Sequence, residues 1–164
     1  MKYLYLLFFG LFLLLNGGAS AQHFSFTPPE NFVQDSAKLP NYLWANKNAG
    51  SVIQIAVSEN TSYTAYSVAI HDSVFVAQNL VVKEKKEILI EDQNHRKYKS
   101  ALFICSYLAV SDDASKSIEF TRVICFTGDD TMTLMAVATI PTMAESVLLE
   151  PVLQSFEHQL ILQK

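Results

Sequence analysis

Three runs decide the fold: Lys99–Val110 (KSALFICSYLAV), Ile118–Phe126 (IEFTRVICF) and Met132–Ile140 (MTLMAVATI). Each is rich in β-branched and aromatic side chains, and each is bounded by polar residues, Ser111 to Ser117 and Thr127-Gly128-Asp129-Asp130. Such runs read as strands, and joints this short make consecutive strands antiparallel neighbours. The centre of the chain is therefore an antiparallel meander.

Downstream of the meander the periodicity changes. Pro141 closes the last strand, and Thr142 with Glu145 three residues on fits a capping box. Pro151 either kinks the segment or opens a fresh helix at its first turn. Val152, Leu153, Phe156, Leu160 and Ile161 form one apolar stripe opposite Gln154, Glu157 and Gln163. A C-terminal helix laid on one face of an antiparallel sheet is an α+β architecture.

Upstream, Ile88 and Ile90 alternate with Leu89 and Glu91 before a turn at Asp92-Gln93-Asn94. Phe24 and Phe26 alternate with Ser25 and Thr27 in a short strand stopped by Pro28-Pro29. Asn31 to Asn48 reads as irregular or as holding one short extended piece, and Val52, Ile53, Ile55 and Val57 read as a core strand. Residues 61–76 are compatible with either of two periods. Tyr63, Tyr66, Ile70 and Val74 would line a helix capped at Asn60 or Thr61, whereas Tyr66, Val68 and Ile70 alternate as a strand would. The helix is preferred.

The chain has 164 residues, half of them hydrophobic, and 15 of the hydrophobic ones fall in the first 21. Lys2, an apolar run from Tyr3 to Leu15, a break at Asn16-Gly17-Gly18 and the tripeptide Ala19-Ser20-Ala21 are the parts of a cleavable signal peptide. Thirteen helical residues reach about 20 Å, too short for a bilayer core. Cleavage is expected after Ala21, leaving a single domain over residues 22–164 that is periplasmic or secreted, with no integral membrane segment. Without Lys2 the remainder carries 11 basic against 16 acidic groups, a net charge of −5, which makes nucleic acid a poor partner.

Little in the sequence carries chemistry. His23, His71, His95 and His158 stand apart from one another and from the cysteines, so metal-ligand spacing is absent. No Gly-x-Ser-x-Gly elbow or phosphate-cradling loop occurs, and Gly50 and Gly128 are the only glycines after the leader. Asp112-Asp113 and Asp129-Asp130 fall in turns, where aspartate caps nearby amides. The basic group His95, Arg96, Lys97 and Lys99 reads as a solvated strand entrance. Cys105 and Cys125, 20 positions apart, are either a disulfide across an antiparallel pair or two separate buried thiols. Facing cysteines need a turn centred at residue 115, while the polar joint centres near 114. Tyr42, Leu43 and Trp44 form an aromatic patch that is either a binding anchor or a plug for the edge of the core. No catalytic constellation, cofactor motif or metal site is expected.

The order of these features resembles the PsbP-like and DcrB-like superfamily. A Phe-x-Phe start at Phe24 and Phe26, with Pro29 and Phe32, leads to the strand at Val52–Val57, a helix, three long strands, and a terminal helix with Leu153, Ser155 and Phe156. The resemblance implies an α-β-α sandwich around an antiparallel sheet. It also implies a non-enzymatic accessory or adaptor role, so the expected function is binding of another envelope or secreted protein. The alternative is a periplasmic carrier of an apolar or lipid-like small ligand, lined by Tyr42 and Trp44. The oligomeric state is not legible in the sequence.

Overall fold

Strand order follows from which runs are apolar on both faces. The structure, a computed structural model, describes residues 23–38, 41–70, 72–110 and 117–163; the expected leader, His71 and the Asp112-Asp113 pair lie outside them. The strands are β1 (Phe24–Phe26), β2 (Val33–Lys38), β3 (Asn41–Asn46), β4 (Ser51–Glu59), β5 (Leu80–Glu91), β6 (Lys97–Val110), β7 (Ser117–Gly128), β8 (Met132–Pro141) and β9 (Leu160–Leu162). The helices are α1 (Tyr63–Ala69), α2 (Asp72–Val76) and α3 (Thr142–His158). Seven strands form one antiparallel sheet in the order β2-β3-β4-β8-β7-β6-β5, and β1 pairs with β9 in a small second sheet. In β8 every residue from Met132 to Ile140 is buried, which places that strand at the centre. β5 alternates between exposed and covered positions around Lys83-Glu84-Lys85-Lys86-Glu87 and forms an edge.

The meander stands as read: β6, β7 and β8 are consecutive antiparallel neighbours. Val52–Val57 is the inner part of β4, which pairs with β8 and joins the two halves of the sheet. The stretch from Asn31 to Asn48 holds two strands rather than one short piece. Gln34/Ser36 form a bulge in β2, which interrupts the alternation that would have revealed it.

Two cores lie on the two faces. On one face Leu148, Val152, Leu153 and Phe156 of α3 and Leu160 and Leu162 of β9 pack on Ile53, Ile55, Ile90, Leu102, Val123, Cys125, Leu134 and Ala136. On the other, Phe75 of α2 and the half-buried Tyr63 and Tyr66 of α1 pack on Phe103, Cys105, Tyr107, Phe120, Ile124 and Phe126. The segment read with either period thus holds helix as preferred, but in two short pieces, Tyr63–Ala69 and Asp72–Val76. The cap is Ser62, whose hydroxyl accepts the amide of Ala65 at 3.3 Å, not Asn60 or Thr61.

Two expectations for the C-terminus are corrected. The apolar stripe does not run on as helix to Ile161: the helix ends at His158, and Leu160 and Ile161 belong to β9, paired with Phe26 and Ser25. A three-residue strand is too short to show its own period beside a helix. The capping box is absent too. Pro141 holds the N-cap position, Thr142 donates its hydroxyl to the carbonyl of Glu119, and Glu145 accepts from the Thr121 hydroxyl, so both side chains tie α3 to β7. Pro151 sits inside a continuous helix on its exposed side.

Candidate functional site

At one end of the large sheet, four connections converge around a cleft of about 1150 Å3. The β7–β8 turn supplies Gly128 to Thr131, α1 supplies Tyr63, Thr64 and Ser67, the β5–β6 turn and the start of β6 supply Gln93, Tyr98 and Lys99, and the ends of the small sheet supply His23 and Gln163.

The β7–β8 turn is the organising element. Asp129 Oδ1 accepts from the amide of Thr131 at 2.6 Å, its hydroxyl at 2.7 Å and the amide of Met132 at 2.9 Å. The Asp129 carbonyl accepts the Tyr63 amide at 2.7 Å, so the turn also holds the first residue of α1. Thr133 Oγ1 donates to the Thr61 carbonyl at 3.0 Å and ties the same junction from the other side. Gly128 is required where it stands. At φ +151° a Cβ there would lie 2.2 Å from the Met132 carbonyl oxygen and 3.0 Å from Tyr63 Cβ.

The opposite wall is fixed by Asp92. Its Oδ1 accepts from the amides of Asn94 at 2.8 Å and Arg96 at 2.9 Å, and its Oδ2 accepts from the Tyr98 hydroxyl at 3.2 Å. Burial alone would raise its pKa, but these donors and the nearby Arg96 charge outweigh it and hold the carboxyl below its ordinary range. Gln93 donates its amide to the Leu162 carbonyl, and Gln163 donates its amide to the His23 carbonyl at 2.8 Å, which brings the small sheet to the rim. His23 Nε2 then meets Glu59 Oε1 at 3.0 Å. The lining that results carries hydroxyls, two glutamine amides, Lys99, Asp130 and two tyrosines, but most of the surface it presents is apolar. Burial pushes the phenol of Tyr63 above its usual pKa against an opposing backbone hydrogen bond at Ala101, so Tyr63 is a neutral hydrogen-bonding group throughout the physiological range. Among the described residues no three His, Cys, Asp or Glu side chains gather as a metal would require.

The residues singled out in the sequence lie elsewhere. Trp44 is only 7% exposed; its ring stands edge-on to Phe26 at 5.1 Å and stacks at 6.4 Å with Tyr42, which in turn meets Phe24 edge-on at 5.0 Å. Trp44 is therefore a plug between β3 and the small sheet, and Leu43, the next residue along the strand, points to the other face. The cysteines are separate buried thiols. Val110 pairs with Ser117, so the β6–β7 turn centres between 113 and 114, and Cys105 faces Arg122 while Cys125 faces Leu102. That register sets the two thiols in different cores on opposite faces of the sheet, and neither is oxidised. Burial pushes Cys105 up to about 11, with Arg122 pulling the other way, and Cys125 up to about 12. The Arg122 guanidinium lies 4.3 Å from the Tyr107 ring centre, and burial lowers its own pKa.

None of the cleft residues stood out as a group in the sequence, because they come from segments up to 140 positions apart, His23 to Gln163. The available signal was Gly128, one of two glycines beyond residue 21, followed by two aspartates.

No protein-family model matches the sequence, and no curated protein matches it. Among solved structures the chain is similar to a crystal structure of a protein from Bacteroides thetaiotaomicron VPI-5482, with a TM-score of 0.52 and 14% identity over 86% of this chain. The match spans 45% of that protein's length. At that identity the likeness concerns the fold alone.

Proposed function

We propose that the chain is an exported, non-enzymatic accessory protein that binds another envelope or secreted protein, and that it does so through the cleft at the end of the sheet. The observation that carries this reading is the cleft itself. It is an open space of about 1150 Å3, mostly apolar in surface but studded with polar groups, whose wall residues come from four connections and are held in place by the Asp129 and Asp92 hydrogen bonds. Apolar surface set with hydroxyls, amides and tyrosines on a rigid frame suits recognition of a polypeptide segment, whose backbone meets the polar groups while its apolar side chains are covered. Helices on both faces of the sheet support placing the fold with the α-β-α sandwiches of the PsbP-like and DcrB-like superfamily, where adaptor roles are the rule. The apolar leader supports delivery to the periplasm or beyond.

Site-specific photo-crosslinking in the cell that makes the protein tests it. A photoreactive residue at Thr64, exposed on the cleft wall, gives a discrete adduct with one polypeptide, while the same residue at Met143, on the solvent side of α3, does not. A ladder of adducts common to both positions, or none at Thr64, overturns the reading.

A further inference from the structure

Among the described residues β5 has no partner strand along its outer side from Leu80 to about Ile90: its neighbour in the large sheet is β6, and β9 joins the outer edge at Asp92 through the bridge to Leu162. Edge strands usually carry charges that keep other strands away. Here the charges are ordered Lys83-Glu84-Lys85-Lys86-Glu87, and that order is nearly its own complement when reversed. We propose that β5 is a self-recognition edge, pairing antiparallel with β5 of a second copy about a two-fold axis at Lys85, so that the two sheets become one.

Pairing about Lys85 sets Glu84 of one copy opposite Lys86 of the other on the α3 face, and symmetry repeats the contact. Within one copy Lys86 Nζ already lies 3.2 Å from Glu84 Oε1. In the pair each lysine therefore has two glutamate neighbours and each glutamate two lysines. Lys83 comes against Glu87 at the ends of the block. The one like-charged contact, Lys85 on the axis, is relieved because its ammonium leans over the Phe103 ring of its own chain at 5.3 Å.

The apolar flanks agree with this register. β5 has a bulge between Val82 and Glu84 that absorbs one residue, so Val81 falls opposite Ile88 and Leu80 opposite Leu89. Val81 is 60% and Leu89 51% exposed in the single chain. Ile88 and Leu89, with Leu160 and Ile161, line a groove of about 600 Å3 beside the strand, into which Val81 of the second copy would fit. Beyond Leu80 the second copy must turn away from β9, and Asn79 is in the left-handed region at φ 56°, where the chain turns into α2.

The test is a charge exchange read by analytical ultracentrifugation of the purified protein. Wild type sediments as a dimer at about 0.1 mM, and more weakly as salt rises. Glu84→Lys and Lys86→Glu each put like charges opposite one another twice, raise the dimer dissociation constant about tenfold or more, and leave the circular dichroism of the fold unchanged. Mixing the two variants restores a dimer, because the lysines of one chain now face the glutamates of the other although neither chain has regained its internal pair. A monomeric wild type at that concentration, single variants that dimerise as well as wild type, or a mixture that stays monomeric overturns the proposal.

Discussion

Replacing Trp44 with alanine separates a structural tryptophan from a binding one. The indole is 7% exposed and touches Phe26 and Tyr42. A tryptophan side chain removes about 200 Å2 from water, roughly 5 kcal/mol at ~25 cal/mol per Å2. Burial already present in the unfolded ensemble reduces that figure, while the cavity left between β3 and β1 adds to it. The expected loss is about 3–5 kcal/mol, a large part of the ~5–15 kcal/mol that holds a domain folded. In urea, with a slope of ~1.5–2 kcal/mol per M, the midpoint should fall by about 2 M. Because Trp44 is the sole tryptophan, the melts must be followed by far-ultraviolet circular dichroism rather than fluorescence. Trp44→Phe keeps the ring contact with Phe26 and should lose less than half as much. A fall of under about 1 kcal/mol in Trp44→Ala would show that the indole is not held in the core and that Trp44 is no plug.

The remaining predictions concern the thiols and the turn under the cleft. Intact mass should be unchanged by reductant. Alkylation of Cys105 and Cys125 should require unfolding, because both thiols are buried and their pKa values stand at about 11 and about 12. Since the folded values lie above the unfolded value of 9.0, the folded chain holds these protons longer than the unfolded one. Their contribution to stability is complete below pH 9.0 and is lost as pH rises through the folded values; a melt series that showed no alkaline decline in wild type relative to a Cys125→Ser control would count against the assignment. Gly128→Ala forces a Cβ against the Met132 carbonyl and Tyr63, so a loss of about 2–4 kcal/mol is expected, with hydrogen exchange fastest at the start of α1. An unchanged melting temperature there would mean that the turn does not hold the helix.

What was legible in the sequence came from local periods long enough to be unambiguous. β6, β7 and β8 are ten or more residues each, and their polar joints named both their existence and their neighbours. α3 was equally plain in kind, though not in its end, where three residues of strand mimic one more helical turn. β5 was half read, from Ile88 and Ile90, because its charged block Lys83–Glu87 has no apolar period on an edge that faces water. The bulge in β2 hid the first hairpin for a related reason: one extra residue breaks a period of two.

The cleft, the plug and the thiols depended on something no local window contains. Trp44 could have been an anchor or a plug from its neighbours alone, and the choice was made by Phe26 folding over it from β1. Cys105 and Cys125 are each in strands, as expected, but whether they meet turns on a register set by the β6–β7 turn, and an odd offset sends them to opposite faces. The cleft exists because β9 returns the C-terminus to His23 and Asp129 pins α1 to the β7–β8 turn. The meander and the long helix were legible because hydrophobic period and length act within a segment. Which side chains share a wall was settled in three dimensions, because it depends on register and on contacts between segments up to 140 residues apart.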